Sequence, residues 1–434
     1  MATSLQSFIA LLHHRDYDAA ITLATSALQR LDESLMNWRV VCLWAMAEAQ
    51  ERTQDIRRAI DTFREAARSG RALGNLIFTV VSEMSLAKAL NDHGQRCEAV
   101  AVCANAIERY RGEAGQPPAT TGMIYSRLGT LYYEANQLEL AHQYHSRGTA
   151  LTKRLGLDLD RTFSRAISTP LLNALGDADA ALSALRNAQE IATYSRYVDG
   201  SWLRAYEANI RLQQGDVVFG QRWAEGEGLS LQDNPELLHM EQHLAFARLL
   251  LAENKLADVQ QWLGQLEQFT RERSLIRWLL TVHILQAVAS ESLGKTSAVR
   301  DYLGRAVMLA TPQDYYRVFL EEGGAVTTLL PKVRQVNSVF VDQLLEYAGT
   351  PFAEKVAPPA SRLAPSQQAL VEPLSERELE VLALIADGLT NREIAEKLVI
   401  ALGTVKRHIN NIYGKLGVRS RTQAIARARQ IELL

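Results

Sequence analysis

The chain has 434 residues, 47% hydrophobic and 22% charged, with 47 Lys/Arg against 49 Asp/Glu for a formal charge of −2. That balance excludes a disordered or low-complexity chain and gives length for two or three domains with a sizeable core. The average hides an asymmetry: residues 374–434 hold ten Lys/Arg and seven Asp/Glu, so this end is +3 and the remainder −5. Cys42, Cys97 and Cys103 form no C-x-x-C spacing, so reduced thiols in a cytosol are expected rather than a disulfide framework or zinc site. No run approaches eighteen apolar residues, and the N-terminus lacks a basic region and a cleavage site. Neither a membrane span nor a secretion signal is expected, and the chain is read as cytoplasmic.

From Ser4 to Glu346 apolar residues recur at three- and four-residue spacing, and strand signals are nearly absent. Turn residues punctuate this pattern at Asp16, Thr53, Gly94, Asn136, Gly176, Gly215, Asn254 and Gly294, at intervals of 37, 41, 42, 40, 39, 39 and 40 residues. Two antiparallel helices with their turns fill such a period. The expectation is an all-α fold: an α-solenoid of about eight helical hairpins over residues 1–348. Aromatics recur near the start of many first helices, at Trp38, Phe78, Tyr125, Phe163, Trp202 and Trp278. A repeated aromatic marks a repeated packing position; the alternative is that Tyr125, Trp202 and Trp278 line a concave ligand surface.

The period fades after Ala310, and Tyr315–Leu330 is expected to cap the solenoid as helix. Five prolines (Pro351, Pro358, Pro359, Pro365 and Pro373) then mark a semi-extended linker over 349–373. Residues 374–434 read as four short helices. Ser375 and Glu378 spell a capping box for the first, Gly388 ends it, and Thr390 or Asn391 caps a second through Leu398. In the third, from about Gly403 to Leu416, Val405, Ile409, Ile412, Tyr413 and Leu416 share one face. Thr404, Lys406, Arg407, Asn410 and Asn411 fall largely on the other. From Gly403 to Gln430 seven basic residues occur with no acidic one, Lys415, Arg419 and Arg421 among them. An apolar stripe opposite long donors suits docking in a DNA groove, with phosphate contacts around it.

Tyr125-x2-Leu128-Gly129-x2-Tyr132 followed by Ala141 resembles the tetratricopeptide pattern, with Tyr in place of Trp. The C-terminal segment resembles the LuxR-type helix-turn-helix family over its whole length. The match runs through Leu374-Ser375-Glu376-Arg377-Glu378, Gly388 to Ala395, Gly403-Thr404-Val405-Lys406-x-His408 and Lys415-Leu416-Gly417-Val418, with Arg421 and Ala424. That resemblance implies that the helix holding Lys406, Arg407 and Asn410 enters the major groove of double-stranded DNA. It implies phosphate contacts around Thr390, Asn391, Thr404 and Lys415, and a homodimer on DNA through the fourth helix. Ala401 stands where the family usually has Ser or Thr, removing an N-cap oxygen worth about 1 kcal/mol. Body and tip together are similar to the C-terminal part of MalT-like regulators, whose repeat domain receives an inducer; the family's ATP-binding module has no counterpart in this sequence.

Gly294-Lys295-Thr296 resembles the end of a phosphate loop, but Ala289 stands where the earlier glycine is required, and a repeat turn explains it. His239 and His243 sit one helical turn apart without a third ligand, and His142 with His145 invite the same surface-histidine reading. No catalytic constellation, metal site or cofactor is expected. The expected partners are DNA, a small-molecule inducer or protein partner on the solenoid, and RNA polymerase. Two alternatives stand beside this reading: a protein-binding repeat scaffold located by its DNA domain, and a fragment of a larger ATP-dependent regulator.

Overall fold

In a computed structural model, the described residues are 16–31, 36–53, 56–111, 117–155, 167–194, 200–349, 376–386 and 389–398, with single positions 405, 408, 409, 412, 424 and 428. Among them are twenty α-helices and no strand. They fall into two compact units, residues 1–354 and 355–434.

The first unit opens with α1 (Tyr17–Arg30) and continues as seven hairpins: α2–α3 (Met36–Thr53, Ile56–Ala72), α4–α5 (Leu76–Asp92, Arg96–Arg109), α6–α7 (Gly122–Glu134, Leu138–Thr152), α8–α9 (Thr169–Ala174, Ala178–Tyr194), α10–α11 (Ser201–Gln213, Val217–Glu227), α12–α13 (Met240–Ala252, Leu256–Glu272) and α14–α15 (Ile276–Ser292, Thr296–Ala310). At six of the eight expected turns the central residue is left-handed: Gly94, Asn136, Gly176, Gly215, Asn254 and Gly294. The other two differ. Thr53 is the last residue of α2, and Asp16 is the N-cap of α1, its carboxylate accepting from the Ala19 N–H. Gly294, the phosphate-loop look-alike, is one of the repeat turns.

The two helices of a hairpin differ in composition for a packing reason. α13 buries one stripe, Val259, Trp262, Leu263, Leu266 and Thr270, at the spacing of a one-sided helix. Every residue of α14 from Leu279 to Ala287 is buried, so its apolar residues follow no stripe. In the tetratricopeptide-like repeat, Gly129 lets α6 and α7 close up: a Cβ there would lie 2.8 Å from the His145 ring and 3.0 Å from the Ala141 carbonyl.

The solenoid closes on itself. The turn between α13 and α14 reaches the second and third hairpin helices, where the Ser274 carbonyl lies 2.9 Å from His93 Nδ1 and Arg57 donates to Ser274 Oγ at 3.0 Å. Across the same junction Ile276 presses on Gly94. Residues 311–330, including α16 (Arg317–Leu320) and α17 (Gly324–Thr327), form a strap packed on helices from distant repeats. Tyr315 is fully buried and its hydroxyl lies within 3.0 Å of both the carbonyl and the side-chain oxygen of Asn91. The Tyr316 N–H donates to the Glu134 carbonyl at 3.0 Å, and Gln213 donates to the Glu321 carbonyl at 3.0 Å. Strap, α14, α15 and α18 (Ser338–Gly349) share one core around Ile284, Leu303, Phe319, Leu330 and Phe340. Gly349, expected to open the linker, ends α18; the rest of the expected 349–373 linker lies outside the described residues.

Gly94 and Gly215 share φ of +85° but not their surroundings: a Cβ at Gly94 would stand 2.7 Å from Ile276 Cβ, and at Gly215 it meets nothing within 4 Å. Both Gly94→Ala and Gly215→Ala should cost about 1–2 kcal/mol for the left-handed backbone. Only Gly94→Ala adds an overpacking cost of about 1–3 kcal/mol. Urea unfolding followed by helical circular dichroism should rank Gly94→Ala clearly below Gly215→Ala, and equal midpoints would show that ring closure places no demand on this position.

Candidate nucleic-acid interface and a polar cavity in the body

The second unit begins with α19 (Glu376–Ala386) and α20 (Asn391–Leu398). The Leu389 N–H donates to the Leu384 carbonyl at 3.2 Å, the bond that closes α19 at its C-terminal end. Thr390 is the cap of α20. Its N–H donates to Glu393 Oε2 at 2.6 Å and its hydroxyl to the same oxygen at 2.8 Å, while the Glu393 N–H returns a bond to Thr390 Oγ1 at 3.4 Å. This is a reciprocal capping box. The Arg377 guanidinium ties the pair together, donating to the Leu398 carbonyl at 2.8 Å while pairing with Glu380 at 2.6 Å. A cation on the last carbonyl of α20 also suits the negative end of its dipole.

Against these helices lie the buried Val405, Ile409 and Ile412, all helical. They share a core with Val381, Leu382, Ile385 and Ile394, and with Ala424 and Ala428 from the last segment. His408, between two of these buried positions, is half-buried. The apolar stripe expected for the third helix is thus the docking face at its three described positions. Of the expected DNA-contacting residues, Thr390 and Asn391 are placed: Thr390 spends its hydroxyl in the capping box, and Asn391 opens α20 partly exposed. Thr404, Lys406, Arg407, Asn410, Asn411, Lys415, Arg419 and Arg421 lie outside the described residues, as do Ser375 and Ala401. Arg377 and Glu393 were missed as interface-building residues. The Thr390-x-x-Glu393 spacing announces the box in sequence; nothing announces the reach of Arg377.

The three aromatics proposed for the solenoid have different surroundings. Tyr125 is buried, its ring 6.1 Å from that of Tyr144 and under the Arg147 guanidinium. Trp202 packs edge-on to Tyr206 beside the α9–α10 core. Trp278 lines a partly open cavity of about 50 Å³ between α6, α8, α10, α12, α14 and the strap. Charged groups from distant repeats meet there. Arg277 pairs with Glu134 at 2.7 Å, and Arg248 pairs with Glu322 at 2.6 Å while donating to Asn209 at 3.1 Å. Tyr133 donates to Glu321 at 2.5 Å and Tyr206 to Glu241 at 3.1 Å. Burial pushes the Glu241 carboxyl above its usual range, against the pull of Arg277 and Arg248. Sequence reasoning did not bring these charged residues together, because they meet only by closure of the ring.

Two of the decoy histidines are corrected. His243 and His145 are buried, not on the surface, and burial lowers both to about 4. His243 Nε2 accepts from the Glu236 N–H at 3.1 Å, a structural role. Among the described residues no group of three metal-ligating side chains occurs.

Residues 3–336 match the family model of the MalT-like TPR region, more than half of the chain. The chain belongs to the MalT-like TPR family. Residues 372–428 match the family of bacterial regulatory proteins, luxR family, so this family member is a LuxR-type regulator with a tetratricopeptide-like body. HTH-type transcriptional regulator MalT of Serratia proteamaculans (strain 568) is 25% identical over 247 residues, 50% of this chain and 25% of the relative. Two relatives from Bacillus subtilis (strain 168) match the tip alone. Transcriptional regulatory protein LnrK is 65% identical over 51 residues, 12% of this chain and 23% of the relative. Transcriptional regulatory protein LiaR is 54% identical over 63 residues, 14% of this chain and 30% of the relative. The chain spans about a quarter of the length of the curated relatives it matches. Among the described residues no helix is long and apolar enough to cross a membrane.

The capping box gives a test by pH. Hydrogen bonds from the Thr390 N–H and hydroxyl hold the Glu393 carboxyl below its ordinary value of 4.5. A carboxylate depressed in the folded state contributes stability above its unfolded value and loses it as pH falls through the folded value. Thr390→Ala should therefore lower the melting temperature of the C-terminal unit at neutral pH, and the gap to wild type should shrink on acidification below 4.5. A gap that stays constant from neutral pH into that acid range would show that Glu393 does not hold the cap.

Proposed function

We propose that the chain is a cytoplasmic, sequence-specific DNA-binding transcription regulator whose repeat body senses a small ligand and governs DNA binding by the C-terminal unit. The observation that carries the DNA-binding half is the burial of Val405, Ile409 and Ile412 against α19 and α20. In the sequence, Lys406, Arg407, Asn410 and Asn411 are out of register with those positions at a helical period of 100° per residue. These donors suit base edges, while Asn391, Thr404, Lys415, Arg419 and Arg421 suit phosphates. Thr390 contributes by fixing the start of α20. Ala424 and Ala428 serve the internal core, and the last segment pairs with a second copy on DNA. The bound dimer would then meet RNA polymerase.

Sensing of a small molecule, rather than a protein, is supported by the strap. Tyr315, Tyr316 and Glu321 engage Asn91, Glu134 and Gln213 on helices of three repeats, positions that a peptide partner threading the ring would need. A polar cavity remains beside it. A ligand there shifts the equilibrium only by its differential affinity for two states of the strap, which continues into α18.

Arg407→Ala and Asn410→Ala should each relax operator discrimination by about 1–3 kcal/mol. Binding titrations against an operator found by footprinting and against point-mutated operators would show this; undiminished discrimination in both removes them as base readers. Lys415→Ala should weaken binding to every sequence and reduce the slope of log K against log salt by about 1, and an unaltered slope would assign Lys415 to solvent.

A further inference from the structure

Seven positions separate Leu398, the last residue of α20, from Val405, the first described residue of the helix expected to read bases. At eight residues, α20 is too short to hold itself as a helix in water, and its last four carbonyls have no partner within the helix. Its start is held by the Thr390–Glu393 box. Its end is held from outside, by Arg377 of α19. Arg377 Nη2 donates to the Leu398 carbonyl at 2.8 Å, and Nη1 donates to Glu380 Oε2 at 2.6 Å. Glu380 lies one turn on in the same helix, so it sets the plane of the guanidinium and aims the second nitrogen at the carbonyl.

We infer that Arg377 is a positioning residue for sequence reading: by holding the last carbonyl of α20 it sets how the reading helix meets the base edges, without itself contacting DNA. This rests on the DNA-reading role proposed above for Lys406, Arg407 and Asn410.

Both helices are referred to α19. Arg377, in its first turn, holds Leu398. One and two turns further along the same helix, Val381, Leu382 and Ile385 share a core with Val405, Ile409 and Ile412. Leu398 also packs its side chain against that core. The angle between α20 and the reading helix is therefore set from one helix. Base edges demand such control and phosphates do not. A bidentate contact works only when two atoms meet two atoms in register, whereas phosphate attraction is long-ranged and carries no sequence information. The ion pair with Glu380 adds little stability by itself, since the Arg377 and Glu380 side chains are 37% and 54% exposed. What it supplies is direction. Any cation near the negative end of α20 would satisfy its dipole; a planar fork that bonds Glu380 and the Leu398 carbonyl together is specific to arginine.

The test uses the full chain, an operator duplex found by footprinting and a scrambled duplex of the same length. Arg377→Met keeps the stem and removes both donors. Where amide exchange shows residues 381–385 still protected, its ratio of operator to scrambled affinity should fall roughly tenfold. Affinity for the scrambled duplex, and the slope of log K against log salt, should stay as in wild type. Arg377→Lys reaches one acceptor at a time and should recover only part of the ratio. Glu380→Gln leaves the Leu398 bond without its fixed direction and should lower the ratio as well. A slope shallower by about 1 would show that Arg377 itself meets a phosphate and overturns the inference. So does an unchanged ratio with protection retained, which leaves Arg377 as a cap alone, and so does full recovery by lysine, which would assign the effect to charge. If Arg377→Met unfolds the unit, the other two variants decide by the same readings, and wild-type ratios in both overturn the inference. A wild type without operator preference sinks the DNA-reading proposal and this inference with it. A discriminating wild type beside an equally discriminating variant sinks this inference alone.

Discussion

A stack of helical hairpins has no intrinsic reason to close, since each hairpin touches only its neighbours. In this protein closure rests on the α13–α14 turn, where Ser274 and Ile276 meet His93, Arg57 and Gly94, and on the strap from Tyr315 to Glu322, laid across helices of distant repeats. The strap bonds to Asn91, Glu134, Gln213 and Arg248. Removing it would strip the partners from a set of charged groups too deeply placed to be served by bulk water. Buried ion pairs of this kind add little net stability relative to apolar packing, because desolvation offsets most of the Coulomb attraction. What they supply is registry: Arg248 meets Glu322, and Arg277 meets Glu134, in only one closed arrangement.

The repeats were legible in the sequence because their determinants are local. A left-handed turn favours Gly or Asn wherever the chain reverses, and those residues recur near every fortieth position. Thr53 closes α2, and α3 begins at Ile56, so the reversal expected there falls at the helix end, where the Thr53 hydroxyl returns to the Ala49 carbonyl at 2.9 Å. The buried histidines were read as surface groups because helix position alone does not reveal which face a solenoid covers twice. His145 faces Gly129 across a hairpin, a contact fixed by the pair and not by either helix.

The C-terminal unit shows the opposite balance. Its core is built from residues within fifty positions of each other, so the apolar stripe at Val405, Ile409 and Ile412 could be read directly and the three helix positions fall where expected. The polar cavity could not. Tyr133 and Glu321 are 188 residues apart, and Arg277 and Glu134 are 143 apart. No periodicity links them. Trp278 was read as a candidate ligand residue because it also happened to occupy a repeated position.

These two halves set different demands on any signal between them. The DNA-reading unit can be built well or badly, but a ligand elsewhere changes its action only through a difference in free energy between two states of the body. Moving such an equilibrium from one part in a hundred to ninety-nine requires roughly 5.5 kcal/mol of differential affinity. A surface site on one hairpin could hardly supply that, since neighbouring repeats would move with it and the ligand would bind both states alike. A site whose walls come partly from the repeats and partly from the strap is different: it exists whole only while the strap is seated. The cavity lined by repeat helices and by Glu321 of the strap meets that condition, and the shared core of strap, α15 and α18 ties the seated state to α18, the last described helix of the first unit.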